Sequence, residues 1–347
     1  MWSSGGTTWI VGGLEFPSEG FILRSTGSGF TPAVPAVNSR LLCIWGTGPR
    51  DIWAAGEKGL LMHFDGSTWS SMPRQTSESL NSIWGSGPRD VWAAGDSGTL
   101  LHFDGKSWSA AFTRSDSALY RVFPSGPREL WATGYGHLRH FDGTTWQSVN
   151  AGSPATLIAG WASDATHVWL AGDSGTLLRY DGKTWEKVPS GTTVQLNAMW
   201  GSGPSDVYAA GDRGTLLHFD GSVFSTLETG AGTGVVLKDI WGSGPRDIWL
   251  VGDRGTLLHF DGTKWLPAQY KTQRTLYAVH GSGPDDVYVT ESSGNVLYFN
   301  GKKWTAIPTG STAVSARRTA SFPISATKAV FFTEALHDRE FVRGFAG

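Results

Sequence analysis

The phrase WGSGPRDVWAAGDSGTLLHFDGKSW, from Trp84 to Trp108, recurs with small changes from Trp45, Trp200 and Trp241. A phrase repeated at a fixed interval constrains a fold more than composition does, because each copy must be one structural unit that stacks on its neighbours. The opening tryptophan or its substitute stands at Trp45, Trp84, Phe123, Trp161, Trp200, Trp241 and His280, in steps of 39, 39, 38, 39, 41 and 39 residues. A DG turn follows in step at Asp65, Asp104, Asp142, Asp181, Asp220 and Asp261, with Asn300 in the seventh copy. Seven complete units result: 40–78, 79–117, 118–155, 156–194, 195–235, 236–274 and 275–313. Partial units flank them, TTWIVGG and GFILRSTGSGF at the start and KAVFF at the end. No linker separates the units, so 1–347 reads as one domain.

Each unit carries four short segments rich in Trp, Val, Leu, Ile and Phe, bounded by Gly, Pro, Asp and Ser, which is a strand pattern. In the quoted copy these strands, a to d, are expected near residues 80–84, 90–95, 99–103 and 108–112. Pro88 presets the a–b turn, the glycines of AGDSG admit positive φ in the b–c turn, and Asp104–Gly105 suits a two-residue c–d hairpin. No 3.6-residue period persists long enough for a helix. A unit of about 39 residues with four strands is a β-propeller blade. The chain is therefore expected to be an all-β propeller of four-stranded antiparallel blades. Eight blades are expected, the last a split unit joining 2–39 with 314–347 from both termini; the alternative is seven blades plus a terminal extension.

Seventeen of the 18 tryptophans fall in three repeat columns, leaving only Trp2 outside. The strand-b column includes Trp53, Trp92, Trp131, Trp169 and Trp249. Rings of this size bury about 150–250 Å² each, roughly 4–6 kcal/mol of apolar transfer, so they are expected to pack blade on blade.

The element DG-x-x-W (DGSTW, DGKSW, DGTTW, DGKTW, DGTKW) resembles the Asp-box of sialidase-type propellers, whose pattern is S-x-D-x-G-x-T-W. Here the residue between Asp and Gly and the leading Ser are absent. The whole unit is similar to bacterial tectonin-like propeller repeats, over nearly the full chain. That resemblance implies the fold, and binding proteins or lectins as the function class.

Catalytic readings find little support. His63, His102, His140, His218 and His259 form one column, one per blade. Sheets pack about 10 Å apart while metal–nitrogen bonds are about 2 Å, so the column cannot share one ion. These histidines are expected to be packed or hydrogen-bonded between blades. Asp51, Asp90, Asp206, Asp247 and Asp286 repeat before strand b and are expected to bond local backbone. Acid–base catalysis needs a differentiated pair, which repetition does not supply. Phosphate loops and nucleophile motifs are absent. The reading is no enzyme, no metal and no cofactor.

Charge is balanced, 28 basic against 30 acidic residues, giving no footprint for nucleic acid. The single cysteine, Cys43, allows no disulfide framework. No apolar run is long enough to insert in a membrane, and no leader peptide is visible. Location is extracellular or at the cell surface if a leader was removed, and cytoplasmic otherwise.

The a–b and c–d turns hardly vary, whereas the d–a segments do: SMPRQTSES, AFTRSDSA, VNAGSPAT, TLETGAGTGVV, PAQYKTQRT. Variation on a rigid scaffold marks the functional face. Two columns at the start of strand a also vary and lie near the channel mouth. With nearby d–a residues they give the candidate binding set: Asn81, Tyr120, Arg121, Asn197, Lys238, Asp239, Tyr270, Arg274 and Tyr277. The expected function is a binding scaffold for a protein or glycan partner. A multivalent lectin with repeated rim sites is the second reading, and a glycosidase the third.

Overall fold

A computed structural model describes residues 1–4, 6–14, 19–25, 29–111 and 117–308. It is a ring of eight four-stranded antiparallel sheets, each in the order a-b-c-d. Blades 1 to 8 span 2–32, 41–71, 80–110, 119–149, 157–187, 196–226, 237–267 and 276–308. In blade 3 the strands are Leu80–Gly87, Asp90–Gly95, Leu100–Phe103 and Trp108–Ala110. The two-residue hairpin is the a–b turn, Pro88–Arg89. The c–d connection is instead a four-residue loop, because Asp104 N–H bonds Ser107 O at 3.3 Å.

One expectation about the ring is corrected. Blade 1 takes all four strands from the start of the chain: Trp2–Ser4, Thr7–Leu14, Glu19–Ser25 and Phe30–Pro32. Its sheet needs no strand from the other end, and 314–347 lie outside the described residues. Trp2, outside the columns in the sequence, pairs with Trp9. Trp45 pairs with Trp53 and Trp84 with Trp92 in the same way. Trp2 is thus the strand-a anchor of blade 1.

Eight apolar clusters line the eight seams, each shared by two consecutive blades. The strand-b aromatic of one blade meets strands c and d of the next. Trp53 lies 4.7 Å from Phe103 and 5.3 Å, edge-on, from Trp108. Trp92 repeats this on Phe141 and Trp146 at 4.8 and 5.4 Å, and Trp249 on Phe299 and Trp304 at 5.2 and 5.1 Å. Edge-on pairs of this kind add about 0.5–1.5 kcal/mol beyond area burial. The strand-a tryptophan lies on the next blade's backbone. A Cβ on Gly85 would stand 2.7 Å from the Trp45 ring, which is why glycine follows the anchor. The closing seam joins blades 8 and 1 through Met1, Ile10, Leu23, Tyr288 and Val296. It is the thinnest among the described residues, and His280 replaces tryptophan there.

The b–c turns are single 3-10 turns, as at Asp96–Gly98. Gly95 is extended (φ −159°), contrary to expectation; positive φ falls on Ser97 (52°) and Gly98. Gly95 is required because a Cβ there would meet Ser79 O at 2.1 Å. No helix among the described residues is long and apolar enough to cross a membrane.

Candidate functional site

An antiparallel blade divides its connections between two ends of the disc. The a–b and c–d turns form one face, and the b–c and d–a connections form the other.

The a–b face is closed by its own bonds. His63 meets Asp51 at 2.7 Å, His102 meets Asp90 at 2.8 Å, His218 meets Asp206 at 2.7 Å and His259 meets Asp247 at 2.6 Å. Each pair lies within one blade, which corrects the expectation of bonds between blades. Each of these imidazoles stacks on its own strand-b ring, as His102 does on Trp92 at 4.0 Å. The second oxygen of Asp90 accepts from Ser86 Oγ. Partial burial opposes ionisation of Asp90, but bonds from His102, Ser86 and Trp92 outweigh it and hold the carboxyl below its ordinary range. The carboxylate stands between hydroxyl and imidazole, so the imidazole cannot take the serine proton. The array is a structural latch. Asp104 Oδ1 accepts from the N–H groups of Lys106 and Ser107 at 2.8 and 2.9 Å, and Asp65, Asp142, Asp181, Asp220 and Asp261 do likewise. Hydroxyl bonds from Ser222 and Thr263, then the backbone bonds, draw the Asp220 and Asp261 carboxyls down to about 2.

The candidate residues lie around the inner ring of the other face. Asn81 Nδ2 donates to Asp96 Oδ1 in its own b–c turn at 2.8 Å and to Leu119 O in the next blade at 3.1 Å. Asn197 does the same with Asp212 and Leu237 O at 2.8 and 3.1 Å. Lys238 Nζ reaches Asp253 at 3.5 Å. Arg121 Nε donates to Ile158 O at 3.0 Å, and Asp239 Oδ2 accepts from Val279 N–H at 3.1 Å. The bonds of Asn81, Arg121, Asn197 and Asp239 to the following blade fasten blades 3 to 4, 4 to 5, 6 to 7 and 7 to 8, while Lys238–Asp253 stays within blade 7. Tyr120 is exposed, as is Arg274; Tyr277 is half-buried, and Tyr270 packs against the seam of blades 7 and 8. Burial, then the nearby Glu291 charge, pushes the Tyr270 phenol up.

Sequence reasoning missed a groove on this face. Two cavities of about 360 and 730 Å³ lie over blades 5 and 6 and the d–a connections that follow them, and share Thr193, Val194, Arg213 and Thr233. Arg213 holds a left-handed backbone (φ 57°) at the tip of its turn and is exposed. Lys58, Ser97, Ser174 and Arg254 occupy the same position in other blades. The repeated D-x-G motif was the signal for these tips. Among the described residues no group of three His, Cys, Asp or Glu could hold a metal ion.

The geometry defines the class: an eight-bladed β-propeller with one closed face and one adaptable face. Among solved structures the chain is similar to YCF48 bound to D1 peptide (TM-score 0.60, 18% identity, covering 84% of this chain and 97% of that one). It is similar to YCF48 from Cyanidioschyzon merolae (TM-score 0.59, 16% identity, 76% and 96%) and to the computationally designed Ika8 protein (TM-score 0.66, 13% identity, 89% and 94%). At these identities the likeness is one of fold. No family model and no curated protein matches the chain, so the resemblance to Asp-box and tectonin-like repeats stays one of motif.

Proposed function

We propose that the protein is a non-enzymatic scaffold that presents its d–a/b–c face to a protein partner, taking an extended peptide segment across the groove over blades 5 and 6. The observation that carries this is the groove itself, open on the variable face and tipped by exposed Arg213. On the opposite face the repeated aspartates are held by histidines of their own blades. A fold neighbour bound to a peptide supports the peptide class. The lectin reading would rest on the partly exposed strand-d rings Trp69, Trp146, Trp185 and Trp265, since none of the 18 tryptophans is fully exposed.

The test is selection of phage-displayed random peptides on the full chain. Recovered peptides are expected to bind Arg213→Glu about tenfold or more weakly, a loss of about 1.4 kcal/mol. Arg50→Glu and Arg89→Glu, exposed on the a–b face, should leave binding unchanged. Peptides sensitive only to the a–b variants would assign the other face. Glycan-array binding with no selected peptide would favour the lectin.

A further inference from the structure

Blade 4 differs from blades 3, 6 and 7 on the d–a/b–c face. In blades 3, 6 and 7 the second residue of strand a is tied to the first residue of the b–c turn: Asn81 to Asp96, Asn197 to Asp212, Lys238 to Asp253. In blade 4 those two positions are Tyr120 and Tyr135. They are 38% and 64% exposed, two of only four exposed large apolar residues among the described ones. The 3-10 turn is gone; the connection is held by Gly134 N–H to His137 O at 3.1 Å and Tyr135 N–H to Ala118 O at 3.3 Å.

Strand c of the same blade, Leu138–Phe141, carries a second departure. Its second residue is Arg139, where other blades place Met62, Leu101, Leu178, Leu217, Leu258 and Leu297, all buried. Arg139 is 7% exposed, and its Nε is buried with no hydrogen-bond partner among the described residues. It pairs with Ala132, a member of the blade 3–4 seam. That seam has Ala111 where the preceding one has Met72, which leaves volume for the longer chain. Arg139 sits two residues from the b–c turn, about 7 Å along the strand. Blade 4 supplies no carboxylate to this face among its described residues. A buried guanidinium nitrogen without a partner is unfavourable, and such a violation of local consistency is expected where a site is used.

We propose that the rim of blade 4 docks an acidic segment of a partner protein, whose carboxylate pairs with Arg139 and whose neighbouring aromatic or aliphatic side chain lies on Tyr120 and Tyr135. This rests on the reading of the d–a/b–c face as the binding face and names the partner's chemistry. Guanidinium and carboxylate match as a two-pronged, charge-assisted pair, and tyrosine and arginine are among the residue types that dominate interface energies.

The experiment uses the phage-selected peptides, with affinities by fluorescence polarisation and melting temperatures by calorimetry. Two repeat-restoring variants are compared with wild type, Arg139→Leu and the double variant Tyr120→Asn, Tyr135→Asp. The proposal expects peptides enriched in Asp or Glu beside an aromatic residue, bound about tenfold or more weakly by each variant, with no melting temperature lowered. Peptides bound equally by wild type and both variants, yet weakened by Arg213→Glu, overturn the blade 4 site and leave the face reading standing. No selected peptide overturns both. A clear drop in melting temperature for Arg139→Leu would give Arg139 a role in holding this chain together and overturn the proposal.

Discussion

Blades 3 and 4 share one plan and one seam, yet they treat their polar groups differently. Blade 3 ties its a–b turn with Ser86, Asp90 and His102, and its b–c turn with Asn81 and Asp96. Blade 4 has Glu129 for the aspartate, 3.6 Å from His140, and Pro124–Ser125 where blade 3 has Gly85–Ser86. On that face the change is compensated in part: Trp131 Nε1 donates to Ser125 Oγ at 3.0 Å, while His140 Nε2 is left without a hydrogen bond. On the opposite face Tyr120, Tyr135 and Arg139 have no such replacement. The aromatic frame persists in both blades. Trp131 stacks on His140 at 4.1 Å and meets Trp185 edge-on at 5.1 Å, as Trp92 does with His102 and Trp146. Packing builds the ring, and polar latches can be exchanged or withdrawn blade by blade.

The sharpest way to break the comparison is to exchange strand c residues. Leu101→Arg places an unpaired charge in a seam that contains Met72, and should destabilise the chain by about 3–5 kcal/mol in denaturant unfolding. Arg139→Leu, the reverse change, should raise the melting temperature. Equal and opposite small shifts would mean that the seams tolerate charge and that Arg139 signals nothing. The next effect concerns the latch. Asn81→Ala loses two hydrogen bonds and leaves Asp96 without that donor, about 1–3 kcal/mol. Tyr120→Ala, at the same position of blade 4, should stay within about 0.5 kcal/mol by the same measurement.

The smallest effect is acid sensitivity. The folded Asp90 carboxyl titrates below its unfolded value, so its stabilisation is full above the unfolded pKa and fades as pH falls through the folded one. Unfolding measured from pH 6 down to pH 2, a range spanning the ordinary Asp pKa of about 3.9, should show a shallower acid loss for Asp90→Asn than for wild type. An unchanged slope would deny the latch a role.

Much of the ring was legible because packing repeats leave columns. The 39-residue step, the strand-b aromatics and the glycine after each anchor all follow from one seam geometry copied around an axis. The first blade was harder. Its strand a is three residues long, Ser3 replaces the glycine, and Trp2 lies 43 residues before Trp45, off the regular step. That is why a split blade closed by both termini was expected. The candidate site was half legible. Variation at Asn81, Asn197 and Lys238 was visible, but their bonds to the D-x-G turns were not, because a single sequence does not show which two varying columns touch. Tyr135 and Arg139 were written plainly as GYGH and LRHF against GDSG and LLHF. A single sequence does not show that one of them is exposed and the other buried with its Nε unbonded.

The central claim is that recurrence builds this molecule and that uncompensated departure marks where it is used. The melting temperature of the triple variant Tyr120→Asn, Tyr135→Asp, Arg139→Leu tests it directly. A value at or above wild type is the result expected from a blade returned to its own repeat. A clear drop would show that the three residues hold the blade together and would contradict the account.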